Sequence, residues 1–283
     1  MVSVAALLSS TLSFSQELPF QSGEDLLYTI TFKGGLVNAD LVALDLSLTS
    51  ETDPVHGELL HAAAKINTFK FWDSFYRMRD VYETWFKADR TIQPVHFHRE
   101  ANEGKNYHSE SWLDWSMDSY DIKVKIEKKN KPTIDTVYNE GRLMRDIINS
   151  VYVARILDYD AMAKGHIEKF MMTPYRDIIE LSVRLVGPEV KKIAKGEKHN
   201  TLKLALALKP KDVEKGDSSG FKVGASEDGN YMAGDEKIFM WVSDDENHVP
   251  LYFSAPASIG SIVGRLTEYK GLKYELKTRI TDE

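Results

Sequence analysis

The chain has 283 residues, a formal net charge of -7, 42% apolar and 11% aromatic residues, and no cysteine. That apolar fraction supplies a sizeable core and excludes a chain disordered throughout, while an acidic balance without a long basic run disfavours nucleic acid and anionic lipid surfaces as partners. Without cysteine there is no disulfide framework, thiolate metal site, cysteine nucleophile or lipoprotein anchor.

At the start, the apolar run Val2 to Leu12 is followed by Ser13-Phe14-Ser15 before Gln16. This small-x-small pattern predicts a signal peptide over residues 1–15, although the run lacks the usual leading Lys or Arg. Cleavage there places the mature chain in the periplasm of a Gram-negative bacterium or outside the cell. Nothing further along approaches the ~18 uninterrupted apolar residues that cross a bilayer as a helix, so no transmembrane segment is expected. Residues 16–283 are expected to form a single β-rich domain.

Period-two alternation dominates the body. Val42, Leu44, Leu46 and Leu48 begin it, and Tyr120, Ile122, Val124 and Ile126 alternate with Asp121, Lys123, Lys125 and Glu127. Leu202, Leu204, Leu206 and Leu208 repeat the pattern, as do Tyr274, Leu276, Thr278 and Ile280. Strands with one apolar and one charged face suit an antiparallel sheet, and the turn signals Lys33-Gly34-Gly35, Asn102-Glu103-Gly104 and Lys270-Gly271 make a meander the economical topology.

Between Gly141 and Gly165 the period changes. Leu143, Met144, Ile147, Ile148, Val151, Tyr152, Ala154 and Ile156 recur at helical steps, which predicts one main α-helix near 142–160 that plugs or covers the sheet. Residues 209–236 are polar and carry five glycines without a sustained period; they read as a flexible loop, either a mobile excursion or a lid. The apolar runs Ile238 to Val242 and Val249 to Phe253 flank a polar knot, Ser243 to His248, and predict a hairpin feeding a further strand.

Three groups of residues could carry chemistry. The aromatics between Phe69 and Trp115 include Trp72, Tyr76, Trp85 and Trp112; with Trp241 these form the candidate ligand-binding set on the concave side of a sheet, with core packing as the alternative. His96 and His98 share a strand face, and a turn of odd length before His108 brings it to that face, where three imidazoles could bind a first-row metal. Exposed strand histidines are the alternative, because no HExxH helix accompanies them. Asp244, Asp245, Glu246 and His248 fit acid–base work or a hard cation on one reading and turn chemistry on the other.

Gly23-Glu24-Asp25-Leu26-Leu27-Tyr28, Asp80-Val81-Tyr82-Glu83-Thr84, and Asp146 with Tyr152 and Arg155 occur in order before Trp241-Val242-Ser243-Asp244-Asp245-Glu246-Asn247-His248-Val249-Pro250-Leu251 and Gly260-Ser261-Ile262. On these motifs the chain resembles a bacterial family of exported proteins known as domain of unknown function 3108, over nearly all of the expected mature chain. It departs from the family at Lys191-Lys192-Ile193-Ala194-Lys195-Gly196, where a Thr and a Leu-Gly turn are usual. The resemblance implies a mostly β protein, a large curved antiparallel meander that is barrel-like or a half-barrel, and it supplies no activity.

No nucleophile elbow, phosphate loop or dinucleotide fingerprint is present, so no catalytic residue and no cofactor is assigned. The expected function is a non-enzymatic envelope protein that binds a lipid, another amphipathic ligand or an envelope partner. The alternatives are a metal-dependent or acid–base hydrolase, and a structural module that pairs through a strand edge.

Overall fold

The computed structural model describes residues 17–174, 177–211, 238–257 and 259–281. The expected signal peptide and residues 212–236 of the expected loop lie outside the described residues. The first half of the chain is an antiparallel run of β1 (Asp25–Gly34), β2 (Val37–Asp53), β3 (Gly57–Thr68), β4 (Arg79–Lys87), β5 (Pro94–Glu103), β6 (Tyr107–Trp115), β7 (Ile122–Lys128) and β8 (Ile134–Tyr138), interrupted by the short α1 (Lys70–Asp73). After β9 (Met144–Arg145), α2 (Ile147–Ala154) and α3 (Tyr159–Ala163), a second run follows: β10 (Ile167–Met172), β11 (Ile179–Lys192), β12 (Lys198–Pro210), β13 (Ile238–Ser243), β14 (Pro250–Pro256) and β15 (Ser261–Lys270). β15 pairs antiparallel with β1, Gly264 opposite Ile30, and joins the two meanders into one 16-stranded sheet. Among the described residues only β9 runs parallel to its neighbour, β10, and the short β16 (Arg279–Ile280) pairs with β12.

The sheet is open along its path from β8 to β9 but it curls. Leu26 and Tyr28 of β1, Leu60 and Ala62 of β3, Phe86 of β4, Leu113 of β6, Val124 of β7 and Leu251 of β14 all join one buried cluster with Ile148 and Tyr152 of α2. A flat sheet could not bring β7 and β14 to the same helix, so the strands wrap round it. The indole of Trp115 on β6 donates to the Met144 carbonyl on β9 at 2.9 Å, which brings the third strand from one edge to the strand at the other. This is the curved, barrel-like meander expected from the sequence.

Alternation sets which residues face inward. On β7, Ile122, Val124 and Ile126 are buried while Lys123 and Lys125 are exposed; each buried side chain of this size contributes about 1.5–3 kcal/mol. On β11 the register shifts between Leu185 and Gly187, and the shift reverses the parity. Ile179, Leu181 and Val183 point inward before it, whereas Glu189 and Lys191 lie on the outer face after it. Gly187 takes φ +139°, a conformation that side chains disfavour, so glycine fits the kink.

The helix expected near 142–160 is present as α2, followed by the short α3, because Asp146 caps α2 by accepting from the Asn149 N–H at 2.8 Å and Asp158 caps α3 by accepting from the Ala161 N–H at 2.9 Å. One expectation needs correction. Tyr274 to Ile280 is not a continuous strand, since only Arg279 and Ile280 pair with β12.

These helices close one end of the curl, which we term the plug end. There Glu24 and Arg155, both at most 1% exposed, form a buried ion pair with Nη2 and Oε2 3.0 Å apart. Arg155 also donates from Nε to the Asn247 carbonyl at 3.0 Å, and Asn247 bonds Tyr274 in both directions. Asn149 donates to the Ile92 carbonyl at 2.8 Å, tying the β4–β5 turn to α2. The entry to β1 and the exit from β15 also meet here: a Cβ on Gly271 would sit 2.0 Å from the Gly23 carbonyl oxygen, so only glycine permits the contact.

Candidate functional site

The opposite end carries the connection 69–78 between β3 and β4, a hook containing α1. Asp73 fastens it. Thr68 donates to Asp73 Oδ1 at 2.5 Å, Arg79 donates from Nη2 to Oδ2 at 2.5 Å, and the Arg79 guanidinium beside it lowers the Asp73 pKa. The Trp72 indole donates to the Asp40 carbonyl at 2.7 Å and the Tyr76 hydroxyl to Glu103 Oε2 at 2.5 Å. Polar bonds therefore hold the hook in place, while Phe71 and Phe75 stay in solvent.

Beneath the hook, the inner wall of β4, β5 and β6 changes from apolar to polar. By the same parity that turns Phe86, Phe97 and Leu113 inward, Asp80 and Tyr82, Arg99 and Glu103, and Tyr107, Ser109 and Ser111 follow along the three strands. Arg99 lies opposite Ser111, and Glu103 opposite Tyr107. Arg99 is buried, donates from Nε to the Tyr82 hydroxyl at 3.1 Å, stands over the Tyr82 ring at 5.3 Å and approaches Glu103 at 3.6 Å.

Asp80 is also buried and accepts from the Asn102 N–H at 2.8 Å. Burial pushes its carboxyl up to about 6, the nearby Glu103 carboxylate acts in the same direction, and the Asn102 N–H and Arg99 oppose the shift. The Tyr76 hydroxyl is raised by burial and by Glu103. Against these bonded groups stand the hydroxyls of Ser109 and Ser111, on fully buried residues, and that of Tyr107; none has a hydrogen-bond partner among the described residues. Leaving a buried hydroxyl unpaired costs about 1–3 kcal/mol, so the wall offers three unmet polar groups beside one cation and two carboxyls.

The sequence-based ligand set divides between two places. Trp72 and Tyr76 belong to the hook. Trp85, Trp112 and Trp241 sit on the outer, convex face, which corrects the expectation of a concave aromatic wall. Trp85 stacks on His61 with centroids 4.2 Å apart and donates to Glu51, Trp112 stacks on His98 under Lys125, and Trp241 packs against Tyr252 with the Lys191 ammonium 3.5 Å above its ring. Outward aromatics are covered by long polar side chains lying flat over them, which explains how β4 can carry large rings on both faces.

His96, His98 and His108 do share the outer face, because three residues, Gly104 to Asn106, separate the paired Glu103 and Tyr107. They do not converge. His108 lies opposite Asn102, four residues beyond His98 and roughly 13 Å along the strand. Each ring has its own partner: Asp114 at 2.6 Å for His96, Glu83 at 3.2 Å for His98 and Asn102 at 2.9 Å for His108. Among the described residues no group of three His, Cys, Asp or Glu is placed to hold a metal.

The polar knot follows its turn reading. Asp245 accepts from Ser243, Asn247 and the Lys277 N–H, and His248 stacks on Tyr159 at 4.2 Å with its pKa lowered by burial. The inner polar wall was missed in the sequence, although a signal existed: Asp80 in the series Asp80, Tyr82, Thr84, Phe86 and Arg99 in Phe97, Arg99, Ala101 place charges on a core face.

Comparison with known proteins gives a family and distant likenesses among solved structures. The family model described as "Protein of unknown function (DUF3108)" matches residues 27–267. A beta-barrel-like protein of domain of unknown function DUF1849 from Brucella abortus is similar at 9% identity over 87% of this chain and 96% of that chain, with a TM-score of 0.47. A Bacteroides fragilis protein described as exported, with a YmcC-like fold, is similar at 9% identity over 90% and 98%, with a TM-score of 0.32. No curated protein matches the chain.

Proposed function

The chain belongs to the DUF3108 family of proteins of unknown function, and from that premise we propose that it is an exported envelope protein that binds an amphipathic ligand non-covalently at the hook end. The observation that carries this reading is the set of unpaired hydroxyls on Tyr107, Ser109 and Ser111 beside Arg99. Buried polar groups are normally bonded, and a ligand head that donates and accepts hydrogen bonds would satisfy them. Two carboxyls against one guanidinium disfavour an anionic head and favour a neutral or zwitterionic one rich in hydroxyls. The aromatic hook supplies a surface for the apolar part of such a molecule, since Trp and Tyr rings combine an apolar body with a polar edge. Export is supported by the leader pattern before Gln16.

Titration with a fluorescent monoacylglycerol and a fluorescent lysophosphatidylethanolamine tests the proposal. Saturable binding of either probe, weakened about fivefold or more in Ser111→Ala, is the expected result, a loss of roughly 1 kcal/mol for one hydrogen bond. Binding equal in the wild-type and Ser111→Ala proteins, or absent for both probes, overturns it. A hydrolase reading is favoured by no arrangement in the described residues, because neither the three histidines nor the Asp244 cluster gathers into one cleft.

A further inference from the structure

Apolar side chains stand out from the hook end along an arc. Leu36 is 106% exposed, Phe71 67%, Phe75 73% and Ile259 76%, with Val37 and Tyr76 about half exposed. They are neighbours in space. The Ile259 carbonyl lies 3.5 Å from where a Gly34 Cβ would be, which sets Ile259 against the β1–β2 turn. The Phe69 N–H donates to the Leu41 carbonyl at 3.0 Å and the Trp72 indole to Asp40, which lays the hook beside the start of β2. Tyr76 then packs 3.5 Å from the Cβ position of Gly104 in the β5–β6 turn. The arc thus crosses the tips of eight strands, from β14 to β6, roughly 34 Å at the usual strand spacing.

Charge distinguishes this arc from the rest of an acidic molecule. Its acids are bonded: Asp73 to Arg79, Asp40 to Arg265 and Glu103 to Tyr76. Lys70, Arg77 and Lys105 are exposed among the apolar tips, and Lys129 is exposed on the adjacent β7–β8 turn. Separate protruding residues on a hook and two turns do not make the flat, close-packed patch that a folded partner covers. They suit a fluid interface, where Phe, Leu and Ile enter the boundary of the acyl chains while ammonium and guanidinium groups meet the headgroups. We propose that the hook end docks on an anionic lipid surface through Leu36, Phe71, Phe75 and Ile259, with Lys70, Arg77 and Lys105 selecting negative headgroups. This goes beyond the ligand-binding reading and does not require it.

Flotation of the purified protein with vesicles tests the proposal. With vesicles of equal parts phosphatidylglycerol and phosphatidylcholine, the protein should float, and it should float less with phosphatidylcholine alone or in high salt. Phe71→Ser with Phe75→Ser should raise the lipid needed by about tenfold or more, since two buried aromatic rings are lost. Lys70→Glu with Arg77→Glu and Lys105→Glu should abolish the preference for phosphatidylglycerol. These side chains are exposed, so circular dichroism should show an unchanged fold. Failure to float with the anionic vesicles, or undiminished flotation of the double Ser variant, overturns the proposal. So does a wild-type dimer in gel filtration that the double Ser variant breaks, because a second copy would then cover the arc. Flotation without uptake of either fluorescent probe would sink the ligand-binding reading and leave the docking face standing.

Discussion

At the plug end, the Arg155 guanidinium meets Glu24 and the Asn247 carbonyl, and Asp146 receives the Asn149 N–H and the Thr84 hydroxyl. The Tyr152 hydroxyl of α2 also lacks a partner among the described residues, but at the hook end three such hydroxyls, on Tyr107, Ser109 and Ser111, follow one another along β6, and Phe71 and Phe75 lie in water. Both ends belong to one sheet and share one register, so strand geometry does not account for the difference. Residues that hold a fold are expected to find their partners inside it, whereas residues kept for a ligand or a surface remain unmet until it arrives. The contrast assigns stability to one end and recognition to the other, and substitutions can test it in both directions.

The largest effect should come from the plug. Removing one partner of a fully buried ion pair leaves the other charge uncompensated, so Arg155→Ala should cost about 3–5 kcal/mol in urea unfolding. A loss under about 1 kcal/mol would show that the plug is not where stability resides.

Asp80 at the hook end should show the opposite sign to Arg155, a sign that Asp146 of the plug shares because burial raises its carboxyl to about 6 as well. The folded Asp80 carboxyl sits at about 6, above its unfolded value of 3.8, so the native state holds this proton more tightly. Stability from this group is present below the unfolded value and declines as pH rises toward 6, and above that the penalty is complete. Asp80→Asn should therefore stabilise the protein at pH 8 by up to about 3 kcal/mol, with the gain vanishing near pH 4. Thermal unfolding at the two pH values checks it, and an equal effect at both would contradict the assignment.

Smaller effects sharpen the same contrast. Asp146→Ala removes the α2 cap and should cost about 1–2 kcal/mol near pH 4, with faster amide exchange through Asn149 and Ser150; burial raises the Asp146 carboxyl to about 6, so the cost should shrink as pH rises past that value. Ser111→Ala deletes an unpaired hydroxyl and should leave stability unchanged or raise it by about 1 kcal/mol while weakening probe binding. Loss of stability together with unchanged binding would place Ser111 with the plug residues instead.

Much of the fold was legible because alternation survives in short windows: Ile122, Val124 and Ile126 reveal their strand without reference to the rest of the chain. The helix near 142–160 was only partly legible, since the apolar spacing of Leu143 and Met144 continues the helical stripe while the Asp146 cap starts the helix later. Site residues were harder. Which face of a strand becomes concave depends on the curl, a property of many strands together, so Trp85 and Trp112 could be placed on opposite sides from Phe86 and Leu113 but not assigned to inside or outside. The three histidines show the same limit: the odd turn gives them one face, yet the Asn102–His108 pairing sets the distance that keeps them apart. The Glu24–Arg155 pair spans 131 positions, and no local pattern joins them, although both stand among the residues that carried the family resemblance.

Native mass spectrometry of the protein purified from its native source tests the central claim most directly. The account predicts a one-to-one complex with a neutral or zwitterionic amphiphile, diminished in Ser111→Ala; a bare chain mass under conditions that preserve known lipid complexes would contradict it.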